Sequence, residues 1–88
     1  MTKISNKELE KAREMDLLTY FMIFEPEELI KISNNNYTIR EHQSLKISNG
    51  KWMWWSHGFG GRSALDFLIK VRDIPFREAV TIIIEQKE

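Results

Sequence analysis

Lys51-Trp52-Met53-Trp54-Trp55-Ser56-His57-Gly58-Phe59-Gly60-Gly61-Arg62-Ser63 places all three tryptophans of this chain directly before three of its four glycines. Aromatic rings offer flat faces for stacking, and a glycine-rich turn at a helix start offers unpaired backbone amides to an anion. Nucleic acid presents both targets, bases and phosphates. The same residues also have a structural use. Large rings supply much of the burial in a small domain, and glycines permit a tight turn.

Other chemistries find little support in the segment. A Walker phosphate loop needs Gly-x-x-x-x-Gly-Lys-Ser/Thr, and counting from Gly58 brings Ser63 to the second glycine position. The dinucleotide pattern Gly-x-Gly-x-x-Gly fails at the same residue. What remains is a flexible strand-to-helix turn whose first amides, with Arg62, could hold one phosphate. His42 and His57 are the only histidines and there is no cysteine, a poor ligand set for zinc. Ser56-His57 adjacency does not activate a serine, and no Gly-x-Ser-x-Gly elbow is present. Glu10 and Glu14 share a helical face but read as solvated surface. The sequence predicts no catalytic centre, no metal, no cofactor and no small-molecule substrate.

Eighty-eight residues, 42% of them hydrophobic, suffice for one small core, so a single domain is expected over 1–88. No run approaches the length of a membrane span, and no secretory pattern opens the chain, which predicts a cytoplasmic protein without a membrane partner. Net charge is zero, which argues against strong sequence-blind DNA binding. The distribution is uneven, however. Residues 1–28 carry seven acids and four bases, whereas 29–88 carry six acids and nine bases. Between Lys31 and Arg72 seven bases face only Glu41 and Asp66, so positive charge surrounds the tryptophan and glycine segment.

The elements that must position these residues follow from capping, periodicity and turn signals. Ser5-Asn6-Lys7-Glu8 has the form of a capping box, and the spacing predicts one helix over about 6–24, ended before Pro26. Its second half, Met15 to Phe24, is apolar nearly all round and is expected to be enclosed by the fold. Glu28 to Ser33 suits either a helical turn or a short strand. Asn34-Asn35-Asn36 marks a turn and Tyr37 to Arg40 alternates as a strand. Ser63-Ala64-Leu65-Asp66 is a second capping box, predicting a helix over about 63–72. Phe76, Ala79, Val80 and Ile83 form the core stripe of another over about 75–86.

Asn49-Gly50 fixes a two-residue hairpin, because both central residues of a type I′ turn need positive φ. Ser48 then opposes Lys51, Ile47 opposes Trp52, Lys46 opposes Met53, Leu45 opposes Trp54 and Ser44 opposes Trp55. Opposed residues share a face. Trp52 and Trp54 therefore join the apolar face, while Met53 and Trp55 share the other with Lys46 and Ser44. Trp55 is either a stacking surface or part of the core.

Tyr37-Thr38-Ile39-Arg40, Ser44-Leu45-Lys46-Ile47, Trp52 to Trp55, Gly60-Gly61, Ala64-Leu65-Asp66-Phe67-Leu68 and Phe76-Arg77-Glu78-Ala79-Val80 together resemble the N-terminal zinc-ribbon domain of bacterial DNA primases. More closely, they are similar to its zinc-less relative at the front of toprim-containing, primase-like proteins of plasmids and conjugative elements. The resemblance covers roughly residues 28–85. By this alignment the family's zinc ligands, three cysteines and a histidine, fall near Asn35, Thr38, Trp55 and Gly58, none of which binds zinc. Tryptophan packing would replace the metal. Primase zinc ribbons contact single-stranded template with their sheet face, so the resemblance implies that role for Arg40, Lys46, Lys51 and Trp55. Polymerisation belongs to a separate toprim-type domain in that family.

The expectation is thus an α+β fold, a small antiparallel sheet over about 28–55 with zinc-ribbon-like hairpins, packed with an N-terminal helix and two C-terminal helices. The expected function is DNA binding, single-stranded above all, as an accessory module of a primase-like or mobile-element replication protein. The expected contacts are Arg40, Lys46, Lys51, Trp55, His57 and Arg62, and the resemblance implies a toprim or helicase domain of the same or a partner protein as partner. The alternative is a protein-interaction or homodimerisation module using Trp55, Met53 and Phe59 as an apolar patch.

Overall fold

The computed structural model describes residues 4–85. Ser5 caps the first helix, α1 (Asn6–Glu14), in a complete capping box: its hydroxyl accepts from the Glu8 amide at 3.1 Å, and its own amide donates to the Glu8 carboxylate at 3.1 Å. The expected single helix over 6–24 is two helices. Met15 leaves helical geometry with ψ 121°, and Asp16 starts α2 (Leu17–Phe24) by accepting from the Thr19 amide and hydroxyl at 3.2 and 2.6 Å. Asp16 is a local competitor for the backbone, the property that makes aspartate favourable at a helix start. The carbonyl freed at Met15 accepts from the Ala64 amide at 2.8 Å, tying the break to the third helix.

A 3₁₀ turn (Pro26–Glu28) leads into β1 (Leu29–Ser33), which settles that ambiguous stretch as strand. β2 (Asn36–Ile39), β3 (Leu45–Ser48), β4 (Lys51–Trp54) and β5 (Phe59–Gly61) follow. The five form one antiparallel sheet in chain order. The β3–β4 register is the one Asn49-Gly50 dictates, with Leu45 opposite Trp54 and Lys46 opposite Met53, and both turn residues have positive φ, 51° and 78°. β5 extends the sheet beyond the expected limit of residue 55. The glycine segment is thus a strand entered through a four-residue turn, Trp55 to Gly58, in which Gly58 takes φ 75°.

α3 (Ala64–Lys70) and α4 (Phe76–Ile84) complete the chain. The far end of the expected 75–86 helix lies outside the described residues, and the helix stops at Ile84. All helices pack on one face of the sheet, giving the α+β class. Leu45, Ile47, Trp52 and Trp54 face them, together with Phe21, Phe67, Leu68 and Val80. Trp52 sets its ring edge-on to Phe67 (5.9 Å, 88°), and Phe67 does the same to Phe21 (5.4 Å, 70°). The Trp52 indole also donates to the Ser63 carbonyl at 3.1 Å, so one side chain joins sheet to helix by packing and by a satisfied polar handle.

The outer side of α2 departs from expectation. Met22 and Ile23 are exposed, because α3 and the 3₁₀ turn cover only the opposite side of that helix. At the helical end of the molecule Arg72 donates twice to Glu25 (2.7 and 3.0 Å) and once to Glu41 (2.7 Å), while its guanidinium lies 5.1 Å from the centre of the Phe67 ring. Tyr20 donates to the same Glu25 carboxylate at 2.8 Å. Hydrogen bonds from Arg72 hold the Glu25 carboxyl below its ordinary value against the opposing effect of burial. Burial, reinforced by the Glu25 charge, pushes the Tyr20 phenol well up. Burial works against the Arg72 charge, but the two carboxylates outweigh it and keep the guanidinium protonated. This cluster locks α2, the β2–β3 loop and the α3–α4 linker together.

Candidate nucleic-acid interface

The face of the sheet away from the helices carries the remaining half of each strand's side chains. Across it run two rows set by the ladder: Thr38, Lys46, Met53 and Gly60 in one, Asn36, Ser48 and Lys51 in the other. Trp55 stands just past β4, its amide donating to the Ser44 carbonyl at 3.1 Å, and its side chain is 65% exposed. A hollow of about 690 Å³ lies over this face, bounded by Lys46, Lys51, Met53, Trp55, Gly60 and Arg62. Gly60 forms bare floor because a Cβ there would fall on the Trp52 carbonyl oxygen and within 2.9 Å of the Met53 Cα. Only glycine lets β5 approach β4 this closely, and the absent side chain leaves the hollow open.

Charge separates this hollow from its neighbour. Among the described residues Lys46, Lys51 and Arg62 line it and no carboxylate does. None of the three forms an ion pair among the described residues, and the Lys46 ammonium is held over the sheet by donating to the Gln43 carbonyl at 2.8 Å. On the far side of Lys51 and Arg62 lies a second hollow of about 790 Å³, where Arg13, Lys51 and Arg62 are balanced by Glu14, Asp16 and Asp66. A phosphate gains attraction in the first and meets cancelling charges in the second.

Four of the six residues expected from the sequence, Lys46, Lys51, Trp55 and Arg62, come together in the first hollow. Arg40 and His57 do not line it. Arg40 lies beyond the end of β2 and donates from Nε to the Glu27 carbonyl at 2.8 Å, among the acids that precede β1. His57 turns the other way in its loop and stacks on the Trp54 ring (3.6 Å, 23°), with Nδ1 3.0 Å from the Ser56 hydroxyl. His42 meets the same indole at 4.6 Å, so Trp54 is enclosed by two imidazoles. Asn36 and Ser48 line the hollow and were not foreseen. The Asn49-Gly50 register already set Ser48 opposite Lys51, whereas Asn36 lies on β2, and the loop from Arg40 to Ser44 does not fix a register as a two-residue turn does.

Two of the three backbone amides at the start of α3 that could meet a phosphate are engaged elsewhere. Ala64 donates to Met15 and Asp66 donates to the Ser63 hydroxyl at 3.1 Å. The positions aligned with zinc ligands do not converge either: Asn35 sits in the β1–β2 turn at one end of the sheet, while Trp55 and Gly58 bound the β4–β5 turn at the other. Thr38 points its hydroxyl to the carbonyls of Leu45 (2.8 Å) and Gln43 (3.0 Å). Aromatic contacts of Trp52 and Trp54 with Phe59, at 6.1 and 5.7 Å, hold β5 against β4, and the Trp52–Phe67 contact joins that hairpin to α3.

Compared with known families, with curated proteins and with solved structures, the chain matches none. Among the described residues no helix is long and apolar enough to cross a membrane.

Proposed function

We propose that the open face of the sheet binds single-stranded DNA, with Trp55 stacking on a base and Lys46, Lys51 and Arg62 neutralising phosphates. The observation that carries the proposal is the pairing of an exposed indole with three cations that, among the described residues, have no ion-pair partner and surround a hollow lined by no carboxylate. Stacking is indifferent to sequence and flexible strands can present both base faces and backbone to one shallow surface, which a stiff duplex cannot. The sequence resemblance of the hairpin, glycine turn, Asp-Phe-Leu helix and Phe-x-x-Ala-Val helix to primase zinc ribbons supports the same role. On this reading the domain is a non-enzymatic, cytoplasmic accessory module of a primase-like or mobile-element replication protein. Partnership with a toprim or helicase domain follows from the same likeness.

Titrating an oligothymidylate into the protein at low salt tests this. Trp52 and Trp54 are buried and Trp55 is not, so quenching of the exposed, red-shifted part of the emission is expected, reversed by added salt. An absence of quenching together with no mobility shift would refute the proposal.

A protein-interaction role has its own support at a different place. Met22 and Ile23 on α2 are 54% and 45% exposed, on a helix without a charged residue. A salt-insensitive dimer in sedimentation, lost in Met22→Lys, would assign that face to self-association.

A further inference from the structure

The second hollow shares Lys51 and Arg62 with the DNA face, so the two cavities adjoin across that pair of cations. Its lining is of a different kind. Leu65, Ile69 and Phe76 supply an apolar wall, and Phe76 at the start of α4 is 47% exposed although its type is usually buried. Glu14 and Arg13 supply an acceptor and a donor, Asn49 either. The Asp16 carboxylate is already occupied by Thr19, and the Asp66 carboxylate is tucked against Gly61. Balanced charge makes this a poor seat for a phosphate. An aromatic edge, an apolar wall and a carboxylate acceptor together suit a nucleobase that carries an exocyclic amine.

We infer that this hollow is a second nucleobase site on the same single strand, seating a base on Phe76 and favouring amine-bearing bases over thymine through Glu14. The inference rests on the DNA-binding proposal for the adjoining face. The backbone of the strand runs over Lys51 and Arg62, the only cations common to both hollows. Thymine has no exocyclic donor, and its single ring N3–H lies between two carbonyl oxygens that a carboxylate repels, so it suits Glu14 less well. The N4 amine of cytosine donates to it instead.

The test compares labelled dT4, dT8 and dC8 by fluorescence anisotropy, with free deoxycytidine monophosphate as competitor. The wild type is expected to bind dC8 roughly tenfold more tightly than dT8, the discrimination of one good base contact. Phe76→Ala should weaken dC8 roughly 5- to 150-fold, the range for loss of one stacked base, and leave dT4 unchanged. Glu14→Gln, at an exposed helix position, should erase the preference for dC8 with no loss of thermal stability, which keeps the test valid if Phe76→Ala folds poorly. Equal affinities for dC8 and dT8 in the wild type, with dT4 still bound, overturn this inference alone. Failure of all three oligonucleotides overturns it together with the DNA-binding proposal. Binding of the free nucleotide as tight as that of dC8 would also overturn it, marking a small-molecule pocket instead.

Discussion

Trp55→Ala separates a ligand platform from a structural ring. The side chain is 65% exposed and follows the last β4 residue, so its loss removes little packing, and a stability change within about 0.5 kcal/mol is expected. Base stacking on such a ring contributes roughly 1 to 3 kcal/mol, which converts to about 5- to 150-fold in Kd. No charge is removed, so the salt dependence must stay as it was. Three cations at roughly 0.7 released counterions each give a slope near −2 for a single strand, or about a 20-fold loss of affinity between 50 and 200 mM salt. Anisotropy of a labelled oligothymidylate measures both quantities without relying on the deleted fluorophore. The account requires a weaker variant with a parallel salt plot and an unchanged melting temperature. An unchanged Kd, or a melting temperature lower by several degrees, would refute the assignment of Trp55 to the ligand.

Other perturbations probe the scaffold. Gly60→Ala should destabilise the domain by about 1 to 3 kcal/mol, since the new methyl group meets β4 backbone and not a movable side chain, and denaturant unfolding would register it. Arg72→Ala leaves Glu25 and Glu41 without their shared partner and should cost about 2 kcal/mol, near a 10 °C fall in melting temperature for a domain of this size, while oligonucleotide binding is retained. Because Glu25 titrates lower when folded than when unfolded, its contribution is complete above the ordinary carboxylate value and is lost as pH falls through the folded value. Melting temperature should therefore fall in acid below about pH 4, and the part due to Glu25 should be absent in Glu25→Gln.

Local chemistry made much of the fold legible before the structure. Asn49-Gly50 specified both a turn type and a register, and that register alone divided Trp52 and Trp54 from Trp55. Ser5 and Ser63 marked helix starts because their hydroxyls satisfy amides three residues ahead. The break at Met15 was less visible, since Asp16 is its one local signal inside an otherwise helix-favouring run, and the bond that rewards the freed carbonyl comes from Ala64, 49 positions away. β5 was hidden for a related reason. Phe59-Gly60-Gly61 has poor strand propensity, and it pairs with β4 because the lack of side chains permits close approach. Charge at the site was legible only in part. Sequence grouped Arg40 with the other bases, but nothing local showed that it reaches back to the Glu27 carbonyl, or that His57 folds over Trp54.

Backbone amide chemical-shift mapping during titration with an unlabelled oligothymidylate examines the central proposal most directly, because it reports location and binding together. The account predicts salt-sensitive shifts concentrated at Lys46, Ser48, Lys51, Met53, Trp55, Gly60 and Arg62, with the Trp55 indole N–H moving and those of Trp52 and Trp54 nearly still. Shifts centred on α2 around Met22 and Ile23, or no shifts at low salt, would contradict it.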